Sequence, residues 1–350
     1  MIKVLIVEDS RVVSEYLEFI FSEDPKIEVI GNVSNGKQAI EFIKKKKPDI
    51  ITMDIDMPIM NGLEATRIIM STTPVPIIVV TASRNMQEVT ITMEALAAGA
   101  LSVIEKPVGI GHPNEQGKRD KMLTMVKVLS EVKVVKRITF ITEKPMLKPL
   151  IPTHGPLLKH FVNRKIVAIG ISSGGPQVLE KIFSKITGQF PFPIVVVQHI
   201  TEGFLDGLVC WLGRLLKIPI HIAADMETAQ AGHIYFAPDN HQIEIIDLKI
   251  KLVPCFAKPG CLCPSVANLF NSLAKNHGKE TIAMIMTGMG RDGSRELKIL
   301  RDAGAVTFAQ DKVSSLVHGM PGEAIKINAA EFIQNPTEIA DLLFQIEKNH

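Results

Sequence analysis

The stretch Lys165–Pro176, KIVAIGISSGGP, decides how this chain is read. Its apolar run Ile166–Ile171 reads as a buried strand that ends in a tight Gly-rich turn, and a helical pattern follows from Gln177 to Ile186. Inside the turn, Gly170-Ile171-Ser172-Ser173-Gly174 has the G-x-S-x-G spacing of a nucleophile elbow, which lifts a serine hydroxyl above the edge of a sheet. The glycines fit because so tight a strand-to-helix reversal needs conformations that a Cβ atom would block. The same residues also suit a loop cradling a phosphate at a helix N-terminus, or a plain tight turn. The choice between these falls to the rest of the chain.

At 350 residues, a scale of roughly 150 residues per domain implies about two domains, each long enough for its own core. Hydrophobic content of 46% with 5% aromatic residues fits an ordinary α/β protein, and a net charge of +2 argues against nucleic acid or a membrane surface as a bulk target. Met1-Ile2-Lys3 leads straight into a short strand, so no secretory leader is expected, and no apolar run approaches the roughly 20 residues that span a bilayer. Cys210, Cys255, Cys261 and Cys263 lack zinc-ligand spacing and read as reduced thiols of a cytoplasmic protein.

Outward from the elbow, residues 1–135 alternate strands (Val4–Val7, Glu28–Val33, Ile50–Met53, Ile77–Val80, Leu101–Ile104) with helices (Val12–Ser22, Lys37–Lys46, Leu63–Met70, Gln87–Ala98, Lys118–Val135). Such alternation predicts a parallel sheet covered on both faces, with ligands gathering at the carboxyl ends of the strands. There lie Glu8 and Asp9 after the first strand, Asp54 after the third, Thr81 after the fourth and Lys106 after the fifth. Converging carboxylates repel unless a cation sits among them, and oxygen-only ligands at a shallow rim suit Mg²⁺. One carboxylate could then attack phosphorus to give an acyl phosphate, with Lys106 and Thr81 contacting the added oxygens. The plainer alternative is a solvated acidic rim.

VLIVEDS at the start, ITMDIDMPIMNGLEA around Asp54, VVTAS at Thr81 and EKP at Lys106 resemble the two-component receiver domains. The resemblance implies a flavodoxin-like fold, Asp54 as phospho-acceptor, and a Mg²⁺ site of Glu8, Asp9, Asp54 and the Asp56 backbone carbonyl. It also implies a cis Lys106–Pro107 bond, and a histidine kinase as phosphodonor. Val103 stands where receivers commonly carry an aromatic residue, which removes one route from phosphorylation to output.

Residues 136–164 lose periodicity, and Pro145, Pro149, Pro152 and Pro156 mark an extended linker before the domain at 165–350. Within that domain, Phe192–Gln198 runs directly into His199, and Thr281–Met286 opens into TGMGRDG, which carries Asp292. Serine, histidine and aspartate thus each follow a core strand, at the edge where α/β sites form. In such a set His199 takes the Ser172 proton, Asp292 orients the imidazole, and the Ser173 and Met289 N–H groups hold the oxyanion. Singly, His199 also fits a satisfied strand-end histidine, and Asp292 an N-cap for Ser294–Leu300. The chain order Ser-His-Asp disfavours an α/β-hydrolase.

AIGISSGGP (168–176), VVVQH (195–199), IYFAPDNHQIEI (234–245), MTGMGRDG (286–293) and GMPGEAI (319–325) resemble the chemotaxis protein-glutamate methylesterases. The resemblance implies two doubly wound parallel-sheet α/β domains, the receiver and a Rossmann-like methylesterase domain. It implies a Ser172–His199–Asp292 hydrolase that releases methanol from glutamate methyl esters of chemoreceptors and deamidates receptor glutamines. No cofactor for ester hydrolysis and no membrane insertion are expected. The chain departs from the family at Ile200-Thr201 and at Leu262–Ala267, where a basic and an acidic side chain are missing. Fusion to a receiver implies that the unphosphorylated receiver covers the Ser172 face and that phosphorylation loosens it. Two alternatives stay open: the same chemistry in a non-chemotaxis pathway, and a phosphorylation-switched binding module with an inactive hydrolase fold.

Overall fold

The computed structural model describes residues 1–81, 86–107, 115–132, 134, 161, 163–255 and 262–350. The chain divides into two compact units, Met1–Lys144 and Pro145–His350. Most of the expected linker lies outside the described residues.

In the first unit, strands β1 (Ile2–Val7), β2 (Ile27–Val33), β3 (Ile50–Met53), β4 (Ile77–Thr81) and β5 (Ser102–Glu105) form one parallel sheet in the order β2-β1-β3-β4-β5. Helices α1 (Arg11–Ser22), α2 (Gly36–Lys45), α3 (Gly62–Thr72), α4 (Met86–Ala98) and α5 (Glu115–Ser130) connect or follow them. Strands β3 and β4 are buried along their length, and β1 from Val4 onward, because both faces of the sheet are covered, as parallel sheets require. The expected elements are all present, with ends shifted by a few residues. The expected cis bond at Lys106–Pro107 is not found; among the described residues the cis bond is Cys263–Pro264. An X–Pro bond prefers trans only weakly, so local sequence does not decide which proline takes the other isomer.

The second unit is built on a seven-stranded parallel sheet in the order β14-β13-β12-β6-β7-β9-β8. Its strands are β6 (Ile166–Ile171), β7 (Ile194–Gln198), β8 (Ile220–Ile222), β9 (Ile234–Phe236), β12 (Thr281–Ile285), β13 (Val306–Gln310) and β14 (Phe332–Gln334). The sheet grows outward from β6 in both directions, which puts the switch of strand order between β6 and β12, where crevices form. An antiparallel hairpin of β10 (His241–Ile246) and β11 (Lys249–Pro254) packs against helix α8 (Val266–Asn276) and supplies Ile243, Ile245 and Ile250 to the core. Helices α6 (Gly175–Phe183), α7 (Leu205–Leu215), α9 (Ser294–Asp302), α10 (Met320–Lys326) and α11 (Pro336–Asn349) complete the unit.

Two glycines of the elbow do different work. Gly174 takes φ +80° at the entry to α6, the left-handed conformation foreseen for the turn. Gly170 instead makes room: a Cβ there would lie 2.2 Å from Val266 Cγ1, so its absence lets the start of α8 press onto β6. The expectation of four reduced thiols fails. Cys255 and Cys263 form a disulfide with a Cα–Cα distance of 6.4 Å, a span that suits the bond. The pairing depends on the β11 end meeting the segment before α8, a tertiary contact that cysteine spacing does not encode. Cys210 is a half-buried free thiol, and Cys261 lies outside the described residues.

Candidate functional sites

At the carboxyl edge of the first sheet, ligand oxygens of Glu8, Asp9 and Asp54 lie within 4.8 Å of one another. Lys106 Nζ donates to Glu8 Oε1 and to Asp54 Oδ2, each at 2.8 Å, and Asp54 Oδ1 accepts from the Ile55 N–H at 2.7 Å. Thr81 is buried, and its carbonyl accepts from the Lys106 N–H at 2.9 Å. Asp56 is exposed in the loop after β3, and its side chain is not part of the carboxylate group.

Burial pushes the Asp54 and Glu8 carboxyls above their ordinary range, with the Lys106 hydrogen bond opposing in each case. Burial, the largest influence on Lys106, pulls it down, but the bonds to and charges of Asp54 and Glu8 together outweigh it and hold the ammonium above its ordinary value. Glu8 Oε2 is buried with no hydrogen-bond partner among the described residues. A buried carboxylate oxygen without a partner, beside two further carboxylates, fits a hard divalent cation. Of the residues expected here, Glu8, Asp9, Asp54 and Lys106 are brought together.

The second site follows from strand order. Strands β12, β6 and β7 are adjacent, and Ile171 pairs with Gln198 in register, so Ser172 and His199 are the next residues off the sheet. The Ser172 N–H donates to Thr287 O at 2.9 Å, joining the elbow to the loop after β12. Thr287 Oγ1 donates to Ser173 O at 2.9 Å, and the Thr287 N–H donates to the buried Gln310 Oε1 at 2.9 Å. The elbow backbone is thereby clamped from the neighbouring strand.

Asp292 does not cap α9. Gly293 occupies that cap position with no side-chain bond, and the Asp292 carboxylate reaches α8 instead. Its Oδ2 accepts from the Val266 N–H at 2.7 Å and its Oδ1 from the Ala267 N–H at 3.2 Å. The first N–H groups of a helix have no partner within it, and this carboxylate satisfies two of them. The same Oδ2 lies 3.0 Å from His199 Nε2. That approach has the distance of an ion pair but not the alignment of a hydrogen bond, since Nε2 is buried without a bonded partner. Among the described residues Ser172 Oγ makes no hydrogen bond to His199; unliganded sites often hold such contacts long or misaligned. The Ser173 and Met289 N–H groups donate to no acceptor among the described residues.

The Leu262–Ala267 departure takes on a physical meaning here. What this segment contributes to Asp292 is backbone N–H, which any residue but proline supplies. Two residues of this network were not foreseen: Thr287 and Gln198, whose Nε2 donates to Ser172 O and His199 O. A polar residue closing an apolar strand run was the available signal for Gln198.

Residues 167–343 match the family model for CheB methylesterase, and residues 4–113 match that for the response regulator receiver domain. A Nitrosospira multiformis protein named protein-glutamate methylesterase/protein-glutamine glutaminase is 44% identical over 344 residues, covering 98% of this chain and 96% of that protein. A Geobacter metallireducens protein of the same description is 43% identical over 345 residues, covering 98% of each. The crystal structure of the Thermotoga maritima CheB methylesterase catalytic domain is 31% identical, covers 53% of this chain and all of its own, and has a TM-score of 0.49.

Proposed function

The chain belongs to the protein-glutamate methylesterase/protein-glutamine glutaminase family, a receiver domain followed by a CheB methylesterase domain, and from that premise we propose how its residues work. It hydrolyses methyl esters of glutamate side chains on chemoreceptors and deamidates receptor glutamines, under control of phosphorylation of its receiver. The observation that carries the residue assignment is the convergence of Ser172, His199 and Asp292 on three adjacent strand ends, with His199 Nε2 3.0 Å from Asp292 Oδ2.

In the proposed reaction His199 takes the Ser172 proton as Oγ attacks the ester carbonyl. With Nε2 turned toward Asp292, Nδ1 is the nitrogen that meets the serine. The negative charge forming on the carbonyl oxygen falls to the free Ser173 and Met289 N–H groups. His199 then returns the proton to the departing methoxide, releasing methanol. Water, deprotonated by the same imidazole, cleaves the acyl-enzyme and leaves a glutamate carboxylate. For a glutamine, the leaving group is ammonia.

The receiver is assigned to residues 1–135 and the methylesterase domain to 165–350, with 136–164 as linker. Asp54 is the phospho-acceptor and a chemotaxis histidine kinase its donor; Lys106 and Thr81 take the phosphoryl oxygens. Glu8, Asp9, Asp54 and the Asp56 carbonyl would hold Mg²⁺, which when bound neutralises charge on the phosphoryl group. Phosphorylation of Asp54 raises the hydrolase activity. No helix among the described residues is long and apolar enough to cross a membrane. Cytoplasmic placement rests on the family.

The test is methanol release from methylated receptor membranes by the full chain, with and without a small-molecule phosphodonor and Mg²⁺. Release should rise with the phosphodonor and vanish in Ser172→Ala. Release that survives Ser172→Ala sinks the assignment.

A further inference from the structure

Beside the Ser172 turn lies a buried side chain that the mechanism above leaves unused. Gln198 is 4% exposed, and its Nε2 donates to Ser172 O at 3.0 Å and to His199 O at 2.8 Å. With carbonyl oxygens as both neighbours, only an NH₂ group suits this position, which determines the orientation of the amide. Its Oε1 is buried without a partner among the described residues. It lies over Gly175, where a Cβ would come within 2.0 Å of it. A buried amide with an unsatisfied acceptor is unfavourable. The two donations are what it contributes in return.

Ser172 C=O and Ser173 N–H are the two ends of one peptide group. That group is planar and trans, so its oxygen and its N–H point in opposite directions. Two donors anchor the oxygen, the Gly175 N–H at 2.8 Å and Gln198 Nε2 at 3.0 Å. Anchoring the oxygen aims the Ser173 N–H, which has no acceptor of its own among the described residues. Donation to the oxygen also polarises the amide and makes its N–H a stronger donor. The same NH₂ holds the carbonyl of His199, so one side chain ties the nucleophile turn to the segment carrying the base. We infer that Gln198 is a positioning residue for ester hydrolysis: it directs the Ser173 N–H at the developing oxyanion and fixes the spacing between the Ser172 turn and His199. The inference rests on the Ser-His-Asp reading proposed above.

The experiment uses the full chain with phosphodonor and Mg²⁺, and two readouts. One is the rate of Ser172 labelling by a fluorophosphonate, in which Oγ bonds phosphorus, fluoride leaves and His199 takes the proton. The other is steady-state methanol release. Gln198→Met keeps the volume and removes both donors. Deleting a whole oxyanion donor costs about 10²–10³ in kcat; mis-aiming one should cost about 10–100-fold in kcat and in the labelling rate. KM should stay within about threefold and the pH midpoint of kcat/KM should not move, because the His199–Asp292 contact is untouched. Gly175→Ala, which displaces the amide without removing it, should produce the same kcat-selective loss, as should Gln198→Glu, which turns carboxylate oxygens on the two carbonyls. A merely structural role would instead raise KM or shift the pH midpoint. Either of those results, or wild-type labelling by any folded member of the three, overturns the inference. Absence of Ser172 labelling in the wild-type chain would instead overturn the Ser-His-Asp reading, so the two failures are told apart.

Discussion

Asp292 is asked to do two things with one carboxylate, and substitutions can separate them. When His199 takes the serine proton, a unit positive charge forms 3.0 Å from Oδ2. At an effective dielectric near 20, Coulomb's law makes that contact worth about 5 kcal/mol, or roughly four decades in rate. The two side chains are 15% and 10% exposed, so solvent trims the effect toward about three decades. Asp292→Asn keeps the shape and deletes the charge. It should lower kcat for methanol release by about 10³–10⁴-fold with little change in KM, because the charge pair exists only in the transition state. Asp292→Ala should lose as much activity and also strip the Val266 and Ala267 N–H groups of their acceptor. Those are charge-assisted bonds at a helix N-terminus, so the Ala variant should unfold about 2–4 kcal/mol more easily, and the Asn variant about half that. Steady-state methanol release and denaturant unfolding of the same preparations read the two effects. A folded Asp292→Asn protein retaining kcat within tenfold of wild type would refute the electrostatic role. Equal stability of Asp292→Ala and wild type would refute the anchoring of α8.

Three further outcomes are expected. Gly288→Ala puts a Cβ 2.5 Å from Met320 Sδ and 2.6 Å from Ser172 Cβ, so the nucleophile turn must shift. Unfolding should be easier by about 1–3 kcal/mol, and kcat should drop by about 10²-fold, as assayed by denaturation and methanol release; unchanged kcat would contradict the packing. Burial, with Lys312 adding and Asp311 opposing, holds the His318 imidazole below its ordinary value of 6.5. The folded chain therefore binds this proton less readily than the unfolded one: the stability is full above pH 6.5 and is lost as pH falls through that value, down to the depressed folded value. His318→Gln should flatten that part of a stability–pH curve, and an unaltered slope would exclude the effect. Lys106→Met leaves Glu8 and Asp54 without the ammonium they share. Phosphodonor-stimulated methanol release should fall to the unstimulated level, measured alongside phosphate incorporation, and retained stimulation would remove Lys106 from the phosphoryl site.

Much of this molecule was legible before folding was considered. Uninterrupted apolar runs such as Ile166–Ile171 and Thr281–Ile285 mark strands covered on both faces, and parallel sheets place their ligand groups at strand ends. Glu8, Asp54, Lys106, Ser172 and His199 could therefore be found from their places just after strands. Boundaries moved by a few residues because helix and strand ends are set by capping and packing as well as by periodicity.

By itself the sequence determined the two α/β sheets, the family, and which side chains stand at strand ends, since burial pattern and turn chemistry are local properties. Only the tertiary structure decided what those side chains meet. Taken alone, Asp292 reads as a cap for the helix that follows it, yet its backbone partners are the Val266 and Ala267 N–H groups, some 25 residues earlier in the chain. Gly170 looked like a turn residue, yet it serves Val266. Cys255 and Cys263 looked like free thiols, yet they are joined. In each case the contact is made across chain segments that only packing brings together, and hydrogen bonds to backbone leave no mark on side-chain identity.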